Sequence, residues 1–134
     1  MNTVIKKTND CLLDSFSETF NILDATIKEF KIYVDENYLV VIDIDLKLLH
    51  PRGMNLKLSF YGIKEYAFYW KENYAFYNIE SYKFFKVDDL FYISLDPEME
   101  GNNISQNDND FILCENIEGS FFSSSLCVNN KNNF

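Results

Sequence analysis

The stretch Tyr38-Leu39-Val40-Val41-Ile42-Asp43-Ile44-Asp45-Leu46-Lys47 decides the fold. In an extended chain Tyr38, Val40, Ile42, Ile44 and Leu46 share one side, and Leu39, Val41, Asp43, Asp45 and Lys47 share the other. Clean alternation of this length indicates an antiparallel strand with one packed face and one partly solvated face. Immediately before it, residues 26–34 read the same way. There Lys28, Phe30, Ile32 and Val34 lie opposite Ile27, Glu29, Lys31 and Tyr33. Asp35-Glu36-Asn37 joins the two runs as a hairpin turn. After them, His50-Pro51-Arg52-Gly53 breaks the pattern and reads as a loop.

Beyond Leu56 the chain is rich in aromatic residues, with 14 of its 23 Phe, Tyr and Trp lying between Phe60 and Tyr92. Tyr66-Ala67-Phe68-Tyr69 recurs as Tyr74-Ala75-Phe76-Tyr77 around Trp70-Lys71-Glu72-Asn73, which predicts a hairpin of two similar strands. A helix through this region competes, because Tyr66, Trp70 and Tyr74 are four apart; aromatic enrichment and alternation favour strands. Further strands are expected at 82–87, 90–95 and 111–117. Leu12, Leu13, Phe16, Phe20 and Leu23 recur every three or four residues, which predicts one amphipathic helix over residues 10–24. The segment 119–134, with Ser123-Ser124-Ser125 and Asn132-Asn133-Phe134, reads as a polar tail. The expected fold class is therefore α+β and mainly β: a largely antiparallel, aromatic-rich sheet over 26–118 with one N-terminal helix.

A chain of 134 residues is the size of a single domain. Its 47% hydrophobic and 25% charged residues give the balance of a globular protein. A net charge of −9 argues against nucleic-acid binding. No apolar run is long enough for a signal-peptide core or a membrane-spanning helix. Cys11, Cys114 and Cys127 are odd in number and widely spaced, which suits free thiols in a reducing cytoplasm. Sixteen Asn, and a basic complement that is almost all Lys, suggest an A/T-rich bacterial genome.

Charge is unevenly distributed. Residues 1–87 carry a net charge of −1, and residues 88–134 carry −8 with Lys131 as their one basic residue. The acidic residues of that second part are Asp88, Asp89, Asp96, Glu98, Glu100, Asp108, Asp110, Glu115 and Glu118. Loops collect such residues for turn geometry and solvation alone. Gathered on one surface, they would steer a basic protein partner. Tyr66, Tyr69, Trp70, Tyr74 and Tyr77 form a second candidate set, amphipathic side chains suited to stacking on a small ligand or carbohydrate. Exposed aromatics and an edge strand also give a route to a homodimer.

Catalytic and metal signatures are scarce. Asp96-Pro97-Glu98-Met99-Glu100-Gly101 matches the start of an EF-hand loop, but Asn107 stands where the bidentate Glu should be and a strand-like segment precedes it. One His and no closely spaced Cys pair leave no transition-metal set. A nucleophilic triad would have to use His50, which sits in a loop before Pro51. Asp43 and Asp45 share a strand face and read as ion-pairing partners of lysines. No glycine-rich phosphate loop is present. The reading is of a protein without catalytic residues, metal or cofactor.

Phe60-Tyr61-Gly62-Ile63, Lys83-Phe84-Phe85 and Phe91-Tyr92-Ile93-Ser94-Leu95-Asp96-Pro97 resemble segments of small, acidic, single-domain bacterial proteins of unknown function. Ile104-Ser105, Asp108 and Asp110-Phe111-Ile112 extend the resemblance, which spans residues 56–118. Immunity proteins, which bind and neutralise a toxin, are among such proteins. The resemblance implies a non-catalytic neutraliser of a basic partner, acting through the acidic C-terminal segment, and it implies no catalytic residues.

Overall fold

A computed structural model of the chain describes residues 4–73 and 76–123. Its elements are β1 (Ile5–Thr8), α1 (Asn9–Asp14), β2 (Thr26–Val34), β3 (Val40–Leu49), β4 (Arg52–Ala67), β5 (Lys83–Val87), β6 (Leu90–Asp96) and β7 (Asn109–Ser123). Every strand pair is antiparallel, and the sheet runs β2-β3-β4-β7-β6-β5 with β1 added to β7. The long β7 organises the molecule. Its first half pairs with β6 and its second half with β1, while β4 follows it from Ala67↔Phe111 to Met54↔Ser123. The α+β, mainly β architecture expected from the sequence is what the chain adopts. Among the described residues no helix is long and apolar enough to cross a membrane.

The alternation that decided the fold sets the core. Ile42, Ile44, Leu46 and Leu48 of β3 pack with Leu56, Leu58 and Phe60 of β4, Ile117 and Phe121 of β7, and Phe91 and Ile93 of β6. Leu12 of α1 closes over this face. Gly119 makes that close approach feasible, because a Cβ there would lie 2.6 Å from Leu12 Cδ1. Asp43 and Asp45 project to the opposite face, where Lys31 and Glu29 of β2 and Ser59 and Lys57 of β4 oppose them.

A bulge in β2 and a change of phase in β7 reset which residues face the core. The register with β3 slips between Ile27 and Glu29, so Lys28 is the extra residue. Ile27 and Phe30 consequently share the core side, where strict alternation placed them on opposite sides. In β7, Glu115 and Asn116 are both exposed, whereas every second residue before and after them is buried. Gly62 faces this irregularity with φ +63°, and a Cβ on it would sit 2.8 Å from Glu115 Cβ. Asn9 secures the same place: it donates to Asn116 Oδ1 at 3.1 Å and accepts from the Ile117 N–H at 2.9 Å.

Three expectations are corrected. The helix expected over residues 10–24 is confined to Asn9–Asp14. Ser15 turns its hydroxyl back to the Leu12 carbonyl, and the Asn21 amide bonds the carbonyls of Ser17 and Glu18. These local bonds compete with helix continuation, yet Phe16 and Phe20 still pack on the core. The expected hairpin between the two aromatic tetrapeptides is not the pairing of its first copy. Tyr66 and Ala67 end β4 and face Ile112 and Phe111 of β7. Of the second copy, Tyr74 and Ala75 lie outside the described residues, and Phe76 and Tyr77 form a turn. Finally, β7 continues through Gly119 to Ser123, so the start of the expected tail is strand. Residues 124–134 lie outside the described residues.

Candidate functional site

The loop 97–108 joins β6 to β7 and holds Glu98, Glu100 and Asp108 of the acidic segment. Its anchor is Asp108, a side chain without solvent exposure. Lys83 of β5 donates to both carboxylate oxygens at 3.0 and 3.1 Å, and to the Asn103 carbonyl at 2.8 Å. The Tyr92 hydroxyl donates to Oδ2 at 2.6 Å, and the Glu98 and Ser105 N–H groups each donate at 3.0 Å. Burial alone would raise the Asp108 carboxyl; these donors outweigh it and hold it at about 2. Tyr92 is pushed upward, by burial first and then by the Asp108 carboxylate. Glu98 folds back on the same loop, accepting from Ser105 Oγ and from Asn107 Nδ2, bonds that hold its carboxyl below the usual range.

The nine acidic residues therefore divide by role. Asp108 is consumed in the buried hub, which removes it from any partner-facing surface. Asp110 is also buried, accepting from the Tyr69 N–H at 2.9 Å. Asp88 and Asp89 form the β5–β6 hairpin tip with φ of 49° and 64°, a two-residue turn with both central residues left-handed. Glu115 and Glu118 stand on β7 and pair with Lys64 at 3.6 Å and Lys6 at 2.7 Å. What the fold does bring together is a groove of about 270 Å³ lined by Glu80, Asp96, Asp110, Asn78, Ser81 and Phe76. Ser81 also borders a second groove of about 340 Å³, to which Glu100 belongs.

One member of the aromatic set reaches the same region, while Tyr66 borders a separate groove with Tyr38 and Leu39. Tyr69 is tied to Asp110 through its main chain, and Phe76 lines the acidic groove. Ring contacts link Tyr66 to Phe68 at 5.9 Å, Phe68 to Phe30 at 4.4 Å and Phe30 to Phe76 at 5.7 Å. Phe30 and Phe68 pack against the core, while Tyr66, Tyr69, Trp70 and Tyr77 are exposed, Trp70 at 65%. Tyr74 lies outside the described residues. The acidic and aromatic sets, distinct in the sequence, adjoin at Tyr69–Asp110.

Glu80 is the groove residue that sequence reasoning missed, because it lies outside the acidic C-terminal segment. Lys83, the cation of the hub, carried one signal: it is a charged residue inside the strand-like run Tyr82-Lys83-Phe84-Phe85. Among the described residues no group of three or more His, Cys, Asp or Glu is arranged to hold a metal ion. Comparison with protein-family models, curated proteins and solved structures finds no match to this chain.

Proposed function

We propose that the chain is a non-catalytic binding domain for a basic protein, in the manner of an immunity-type neutraliser. The observation that carries this reading is the junction at Tyr69 and Asp110, which ties an acidic groove to the chain segment of exposed Tyr69 and Trp70, while exposed Tyr77 lies in the chain between groove residues Phe76 and Asn78. Aromatic anchors ringed by charge are the composition of a strong protein interface. The electrostatics support the same reading. Between Lys86 and Lys131 the sequence supplies no basic side chain, and the preceding Lys83 is spent on Asp108. An acidic surface of this kind raises the encounter rate of a basic partner.

The test is capture from a lysate of the source organism on immobilised protein, at low and high salt, with bound proteins identified by mass spectrometry. The expected result is a basic protein retained at low salt, weakened at high salt, and lost from the exposed-site variant Glu80→Lys/Glu100→Lys. Equal retention by wild type and variant would remove this surface from the interface. The exposure of Trp70 favours one second reading, a carbohydrate-stacking surface. A shift of tryptophan fluorescence with a glycan, unaffected by Glu80→Lys, would select it.

A further inference from the structure

We propose that the free edge of β2 pairs antiparallel with the same edge of a second copy, joining the two sheets into one. The alternation of the β2–β3 ladder fixes which groups are available. The Asp35 N–H donates to the Leu39 carbonyl at 2.9 Å, so Tyr33, Lys31 and Glu29 turn their main-chain groups toward β3. Phe30, Ile32 and Val34 accordingly turn theirs outward, to the edge that no strand among the described residues occupies. At the start of the strand the edge is taken: the Ile27 N–H donates to the Tyr77 carbonyl at 2.8 Å, and Thr26 bridges to Asn78. The bulge at Lys28 follows this covered part, and the Phe30 ring still packs on Phe68 and Phe76. Beyond it, Ile32 and Val34 are 40% and 58% exposed.

The occupant is identified by self-complementarity. A two-fold axis through Tyr33 sets Tyr33 against its own copy, Ile32 against Val34 of the second copy, and Lys31 against Asp35 of the second copy. Ile32 and Val34 then exchange main-chain hydrogen bonds, and both apolar pairs fall on the face that already carries Phe30. The two Lys–Asp pairs fall on the opposite face beside the tyrosines, where opposite charges across strands are favourable. Neighbouring registers fail, and an axis at Val34 sets Ile32 against Glu36 and loses the Lys31–Asp35 pair. An axis at Lys31 opposes the two Lys31 side chains, and one at Ile32 sets Glu29 against Asp35. An axis at Phe30 drives the second strand into the edge already held by Tyr77. One register thus satisfies charge, burial and main-chain pairing together, at an edge whose exposed apolar residues invite pairing.

Sedimentation equilibrium on the full chain reads the association, and disulfide trapping reads the register. The non-hydrogen-bonded Tyr33 pair brings the two Cα atoms to about 4.5 Å, within the range a disulfide spans. In a Cys11→Ser/Cys127→Ser background, Tyr33→Cys is therefore expected to oxidise to a covalent dimer, and Lys28→Cys is not. Val34→Lys, at an exposed position, is expected to weaken dimerisation at least tenfold; if it does not fold, Lys31→Glu tests the same interface by opposing Asp35. A chain that stays monomeric up to about 500 µM would overturn the proposal. So would a dimer that Val34→Lys or Lys31→Glu leaves intact, or one that Tyr33→Cys does not trap.

Discussion

At Asp108 two opposing effects meet on one carboxylate. Removing it from water favours the neutral acid, while the Lys83 ammonium, the Tyr92 hydroxyl and two main-chain N–H groups favour the anion. The anion wins, and the carboxyl is held at about 2 against the usual 3.8. A folded-state value below the unfolded one means stability that is present above pH 4 and lost as pH falls toward 2. The shift corresponds to about 2 kcal/mol, and urea midpoints recorded between pH 5 and 2 should show that loss in wild type. Asp108→Ala leaves the Lys83 ammonium buried without its anion, so it should cost about 3–5 kcal/mol by urea denaturation at pH 7. Lys83→Met, which leaves three donors on Asp108, should cost less. Asp45 has the opposite sign. Burial raises its carboxyl, and its buried Oδ1 has no hydrogen-bond partner among the described residues. Asp45→Asn should accordingly stabilise the fold at pH 7, with a gain that vanishes as pH falls below the Asp45 range. Reading the sequence found Asp43 and Asp45 on one face but not the Asp108 hub, whose members are separated by up to 25 residues.

Among elements, legibility followed the length of the hydrophobic pattern. β2 and β3 were read almost to their ends because ten residues of alternation admit one register. The helix was over-read because Leu12, Phe16 and Phe20 do lie on the core side. They reach it through a helix of six residues followed by turns that Ser15, Ser17 and Asn21 hold with side-chain bonds. Periodicity reports the side a residue faces and is silent on the backbone that takes it there. The bulge at Lys28 and the change of phase at Glu115-Asn116 were equally hidden, since the Gly62 conformation that faces the second is a tertiary fact. The docking of α1 rests on Gly119, where an added methyl meets Leu12 in a packed core. Gly119→Ala should therefore cost about 1–3 kcal/mol, measurable as a lower thermal midpoint. Pairing that change with Leu12→Ala should cost less than the sum of the two single changes, because the two sites share one contact.

On the scale of the whole molecule, the order of strands turns a charge asymmetry along the chain into a surface. β7 begins at the acidic groove with Asn109 and Asp110 and ends among β1 and β4, where Glu118 is matched by Lys6. Lys64 likewise pairs with Glu115 on the same strand. The groove lined by Glu80, Asp96 and Asp110 lies where Tyr69 and Phe76 also arrive, a meeting that neither composition nor local pattern reveals. Affinity and speed should divide between the two components: carboxylates set the rate of encounter, and aromatic anchors set the rate of escape. Trp70→Ala should thus speed dissociation of a captured basic partner while leaving its association rate nearly unchanged. The most direct measurement is the association rate of that partner as a function of ionic strength, for wild type and for Glu80→Lys/Glu100→Lys. The expected result is a wild-type rate that falls steeply with salt, and a variant rate about tenfold slower at low salt and flatter throughout. Superimposable salt curves would contradict it.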